Sequence, residues 1–162
     1  MTKRVGITGH QHLADSDTWL WVEAALNSAL EKFEGDLVGV SSLAAGTDQV
    51  FASLILRRGG QIHAVIPFAD YERVFDADHL SAYRELFAKA HAVEVLRAAN
   101  TVEGAYLAAG RRVVELADQM IAVWDGKPAK GMGGTAEVVA FAIERRVPLT
   151  HINPEDRTIC QR

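Results

Sequence analysis

The sequence predicts a single doubly wound α/β domain, a mostly parallel sheet with helices on both faces. Three observations predict it. Short apolar runs alternate with longer segments of helical period along the whole chain, the pattern of strand–helix–strand units whose strands lie parallel. Small-residue loops follow three of the runs, where glycine and polar residues end a buried strand and open a helix. The 162 residues, 49% hydrophobic and 23% charged, suffice for one sizeable core and show no linker or repeat. Roughly five to seven strands are expected. Residues 1–154 are read as the domain and 155–162 as a loose tail.

Residues 4–8 form the first strand, ending at Gly9 and His10. Asp15, Ser16 and Asp17 offer helix caps, and Trp19, Val22, Leu26, Ala29, Leu30 and Phe33 then line one helical face until Gly35. Residues 37–40 are a short buried strand. Residues 41–48, SSLAAGTD, lead into a second helix with Val50, Phe51, Leu54 and Ile55 inward, closed by Gly59 and Gly60. Residues 61–66 are a third strand, ended by Pro67. Residues 68–79 carry charged and aromatic groups without a period and read as a solvated connection in preference to a functional loop. A helix over 80–91, a strand over 92–96 and a helix over 102–117 follow. After the strand at 120–124 come the glycine-rich loop 126–134, a helix from Thr135 to Arg146, and a last strand at 149–152.

The stretch from Asp118 to Glu137, DQMIAVWDGKPAKGMGGTAE, carries the main functional signal. A strand, a glycine-rich loop and a helix start make a place to hold an anion, because N–H groups of the first helical turn point outward and the helix dipole adds positive charge. In a doubly wound sheet ligands bind outside the carboxyl ends of the strands. The loops after the first, second and fifth strands lie at that edge, and their convergence is the strongest functional inference. They fit neither GxGxxG nor GxxxxGK[ST], and neither GxSxG nor HExxH occurs.

Composition narrows the function classes. A net charge of −4, with no basic run longer than two residues, argues against a dedicated nucleic-acid binder, so a nucleic-acid partner is not expected. Cys160 is the only cysteine, so neither an intramolecular disulfide nor a cysteine metal cluster forms. His10 and His12 lie two apart with no further ligand set; no metal site and no cofactor is expected. No apolar run approaches membrane-spanning length and the first residues lack a signal-peptide core. A soluble, cytoplasmic protein without membrane contact is expected.

VGITGH, SSLAAGTD and ADQMIAVWDGKPAKGMGGTAEVV together resemble the SLOG superfamily of Rossmann-like domains. That superfamily includes the Lonely Guy (LOG) phosphoribohydrolases, the DNA-processing A proteins and small bacterial YspA/YpsA-like proteins. The resemblance spans Arg4 to about Asn153. SLAAGTD is similar to a G-x-A-x-G-A-D segment, with Ser42 at the first glycine and Thr47 at the alanine. GMGGTAE is similar to the PGGxGTxxE loop of the LOG branch. Pro128 stands apart from the glycines, however, and Glu137 follows Thr135 by two residues rather than three. The resemblance implies a Rossmann-like fold and a nucleotide-type ligand, and its small domains imply a homodimer.

Two functions follow, and a third, single-stranded DNA binding as in the DNA-processing A proteins, is disfavoured by the acidic net charge and the missing basic-aromatic stripe. The preferred one is a module that binds or senses a nucleotide or nucleotide-derived small molecule. Its phosphate would lie on Gly133, Gly134 and Thr135, beside Gly131. Ser41, Ser42 and Asp48 would meet ribose hydroxyls or a second phosphate, Trp124 and Asp125 would flank the base, and Gly9, His10 and Gly46 would complete the edge. The alternative is a hydrolase of the N-glycosidic bond in a nucleoside 5′-monophosphate, with Glu137 stabilising an oxocarbenium-like sugar and Arg111 or Arg112 holding phosphate. The altered Glu and Arg spacings favour the first.

Overall fold

The chain, described over residues 1–97, 99–128 and 134–162 in a computed structural model, begins with β1 (Thr2–Gly9), α1 (Ser16–Glu31), β2 (Asp36–Ser41), α2 (Thr47–Arg57) and β3 (Gln61–Ile66). A 3-10 turn (Tyr71–Val74), α3 (Ala77–Ala88), β4 (Ala92–Val95) and α4 (Val102–Leu116) follow. β5 (Gln119–Val123), α5 (Thr135–Glu144), β6 (Leu149–Asn153) and β7 (Thr158–Gln161) complete it. One seven-stranded sheet has the order β4-β3-β2-β1-β5-β6-β7. Every pairing is parallel except that of β6 with β7. The predicted doubly wound α/β fold is borne out.

Alternation within the strands assigns the two faces. Val5 and Ile7 of β1 join Ile62, Ala64 and Ile66 of β3 in a core closed by α1, α2 and α3. Val40, Val65, Met120 and Ala122 face the other way, against Ala109 and Val113 of α4 and Val138, Val139 and Ala142 of α5. The central strands are apolar on both faces because helices cover both. α4 and α5 approach closely because Gly110 has no side chain: a Cβ there would collide with Val138.

Side-chain caps set three helix starts. Asp15 accepts from the Thr18 N–H at 2.8 Å, Asp76 from the His79 N–H at 2.9 Å, and Thr101 from the Gly104 N–H at 3.0 Å. Asp76 starts α3 earlier than the apolar period indicates, because the first turn, Ala77 to His79, presents no large apolar residue.

One expectation is corrected and another is narrowed. The residues after Pro154 are not a loose tail: Thr158–Gln161 pair antiparallel with β6. The Asn153 side chain accepts the N–H groups of Glu155 and Asp156 at 3.0 and 3.2 Å, which tightens the turn. All four β7 residues are exposed, so backbone pairing rather than burial holds the strand. Residues 68–79 are largely exposed, as a solvated connection would be, but Tyr71 within them is not. Tyr71 is 1% exposed and packs against Phe68, Phe75, Tyr83 and Tyr106, with ring centroids 5.0–6.3 Å apart.

Candidate functional site

The chain runs outward from β1 through β2 and β3 to β4, and α4 returns it to β5 on the other side of β1. The crevice between the carboxyl ends of β1 and β5 is therefore the topological switch point. There the His10 N–H donates to Val123 O at 3.1 Å, continuing the ladder past Gly9. The Asp125 N–H donates to His10 Nε2 at 3.1 Å. A backbone N–H can only donate, so Nε2 is the accepting nitrogen of His10 and its ring proton is on Nδ1. Trp124 turns away: its ring N–H donates to Lys127 O at 2.9 Å, and its ring lies 5.0 Å from that of His151.

The loop between β2 and α2 is folded onto this edge. Its Leu43 is fully buried with φ 54°, and the Leu43 N–H donates to Ser41 Oγ at 3.0 Å. Gly46 adopts φ 85°, and a Cβ there would strike the carbonyl of Gln11. Thr47 then straps the two loops together, its N–H and hydroxyl both donating to His10 O, at 3.3 and 2.8 Å. Asp48 is 8% exposed. Burial raises its carboxyl pKa to about 7, against the opposing pull of the N–H groups of Ala44 and Ser42 and the Ser41 hydroxyl, which favour the charged form.

A cleft of about 110 Å³ opens between these loops and α4 and α5. Of the residues predicted from sequence, Gly9, Ser42, Asp48 and Thr135 line it. Gln11, Tyr71, Tyr106 and Gly110 line it too and were not singled out. α5 starts at its mouth with Gly134 as N-cap and, among the described residues, no side chain caps the helix; the Glu137 N–H turns back to Gly134 O at 3.2 Å, which leaves those of Thr135 and Ala136 as the first-turn donors. Ser41, Gly46, His10, Trp124 and Asp125 shape the surrounding backbone without lining the cleft. Gly131 and Gly133 lie outside the described residues.

The residues named for hydrolysis are placed elsewhere. Glu137 is half-buried on the first turn of α5 and is not part of the cleft wall. Arg111 lies over the Phe141 ring at 5.4 Å from its centroid. Arg112 is engaged by Glu94 at 2.9 Å and Glu115 at 3.4 Å. Among the described residues no three His, Cys, Asp or Glu side chains form a metal-binding group, and no helix is long and apolar enough to cross a membrane.

No family model matches the chain, and no curated protein matches it. Solved structures do. DNA processing protein A from Helicobacter pylori, described for a unique single-stranded DNA binding mode, superposes with a TM-score of 0.64 at 18% identity. DNA processing protein A from Streptococcus pneumoniae does so with 0.66 at 20%. Each match covers 92% of this chain, which spans 64% and 50% of the length of those two proteins. The protein TM1055 matches with a TM-score of 0.53 at 15% identity, over 91% of this chain and 72% of its own.

The first of these overturns one expectation. Net charge argued against a nucleic-acid partner, yet a protein of the same fold binds single-stranded DNA. Net charge sums over the whole chain, whereas phosphates are neutralised locally by a few donors and cations. The exclusion does not hold. Sheet order, switch-point crevice and these superpositions agree that the chain has a Rossmann-like fold, shared with DNA processing protein A.

Proposed function

We propose that the cleft at the β1–β5 switch point binds a nucleotide unit, its phosphate on the first N–H groups of α5. The observation that carries this reading is a convergence. Gly9, Ser42 with Asp48, and Thr135 come from three widely separated stretches of chain and line one cleft, at whose mouth a helix begins with no side-chain cap among the described residues. Uncapped N–H groups and the helix dipole favour a phosphate, and the polar wall formed by Ser42 and Asp48 suits the part of the ligand that carries hydroxyls.

Two sources present this chemistry. One is a free nucleotide or nucleotide-derived molecule, for which the protein acts as a sensing module. The other is a nucleotide within a single strand, a reading favoured by the single-stranded DNA binding described for the Helicobacter pylori protein of this fold. Hydrolysis of an N-glycosidic bond has less support, since none of Glu137, Arg111 and Arg112 belongs to the described cleft wall.

Gly134→Val tests the site. Gly134 has φ −77° and ψ 168°, a conformation open to valine, so the variant should fold while its side chain blocks the helix start. Binding of ribonucleoside 5′-monophosphates, read by calorimetry, should weaken by roughly 10- to 100-fold, the loss of hydrogen bonds to a charged group. A labelled oligothymidylate read by anisotropy over a salt series tests the strand source, whose affinity should fall steeply with salt. Unchanged affinity of the variant for every ligand that the wild type binds would sink the proposal. Release of free base by the wild type, followed by chromatography, would favour the hydrolase instead.

A further inference from the structure

Tyr71, one of the residues lining the cleft, carries a hydroxyl that no described residue uses. The Tyr71 side chain is 99% buried by its 1% exposure, and its Oη has no hydrogen-bond partner among the described residues. Buried polar atoms are nearly always paired, so one that is not asks for an explanation. The ring has no freedom to seek a partner. Phe75 lies edge-on at 5.0 Å, Phe68 and Tyr83 at 5.5 Å, and Tyr106 at 6.3 Å. The ring is thus held at one position, and the residue lines the same cleft as Asp48. Burial first, and the nearby Asp48 carboxyl second, raise the phenol pKa far above its ordinary value, so Tyr71 stays protonated and can donate.

We infer that Tyr71 and Asp48 form a sugar-hydroxyl subsite: the phenol donates to, and the carboxyl accepts from, a ribose hydroxyl of the bound nucleotide unit. The inference rests on the nucleotide reading above and specifies which part of the ligand enters. A hydroxyl both accepts and donates, so it satisfies the two groups together. A phosphate only accepts and would be set against Asp48, which favours its placement at Thr135 on the other wall. The cleft, about 110 Å³, is well below the roughly 300 Å³ at which pockets begin to enclose a whole ligand. It takes one portion of a nucleotide, and the portion joined directly to the phosphate is the sugar.

Tyr71→Phe tests this, because the two roles open to the residue predict opposite results. Removing an unpartnered hydroxyl leaves the packing intact, so the variant should melt no lower than the wild type. Its affinity for ribonucleoside 5′-monophosphates should nevertheless fall roughly three- to ten-fold, the loss of one hydrogen bond. The wild type should prefer ribonucleotides to their 2′,3′-dideoxy counterparts, and the variant should lose most of that preference. Single-stranded RNA and DNA oligonucleotides, measured alongside, tell a free ligand from a strand. A clearly lower melting temperature of Tyr71→Phe would mean that the hydroxyl is partnered within the protein, and it would overturn the inference whatever the ligand. An unchanged preference in a variant that still binds nucleotides would overturn the inference and leave the nucleotide site standing. No nucleotide binding by the wild type would remove both.

Discussion

Asp48 and Tyr71 show how burial changes what a side chain can do. A carboxyl at a helix start ordinarily complements the dipole as a charge. Asp48 is also desolvated, and its pKa rises from 3.8 to about 7. That shift has a definite sign in stability. Between about pH 4 and pH 7 the unfolded chain releases this proton while the folded chain keeps it, so the folded state loses ground as pH rises and the effect levels off above about 7. At most the loss is on the order of 4 kcal/mol, from a shift of this size. Asp48→Asn removes the titration. Thermal melts at pH 5 and pH 7.5 should differ less for the variant than for the wild type, and an equal difference in both would show that Asp48 does not titrate in this range. Sequence reading placed Asp48 at the edge on helix-start logic. It met Tyr71 only as one of the polar and aromatic groups of 68–79, a stretch without a period, because only the packing of Phe68, Phe75, Tyr83 and Tyr106 buries that ring.

At the scale of elements, the loops matter more than the helices they join. The loop between β2 and α2 is held by Thr47 on His10 O and by Gly46 against Gln11, so two of the three edge loops are tied together. The α4–α5 contact closes the far wall through Gly110, whose missing side chain admits Val138. Gly110→Leu should force the two helices apart and cost about 1–3 kcal/mol, the usual penalty of overpacking. Denaturant unfolding measures it, and a variant as stable as the wild type would mean that the contact yields freely. Gly110 was legible only as a helix residue; that it lines the cleft depends on which helix packs beside α4.

The whole molecule is a sheet with two edges, β4 and β7. The resemblance implies self-association, and an apolar helix near 80–91 needs cover. α3 finds much of that cover within the chain by burying Tyr83 and Leu86. Phe87 on α3 and Val93 and Val95 on the edge strand remain exposed at 38%, 41% and 45%, and they are the apolar surface still available there. A dimer in sedimentation at micromolar concentration is the expected outcome; a monomeric mass would count against it. Partner choice is also decided at this scale, and here the sequence argument failed. A net charge of −4 is a property of composition, while a strand of nucleic acid meets only the groups along its path.

The sequence by itself determined the fold class and the alternation of strands and helices, and it directed the search for a site to the carboxyl edge of the sheet. Those features follow from local patterns: apolar period, glycine and proline at strand ends, small residues where helices begin. Tertiary structure decided which side chains share the cleft. It brought Tyr71 and Gly110 into the wall beside Asp48 and left Arg112 on Glu94 and Glu115. It also made a strand of 158–161, although nothing there is buried. The physical reason is the same in each case. Burial and pairing depend on contacts between segments far apart in the chain, and no local pattern encodes which segment the sheet order places next to which.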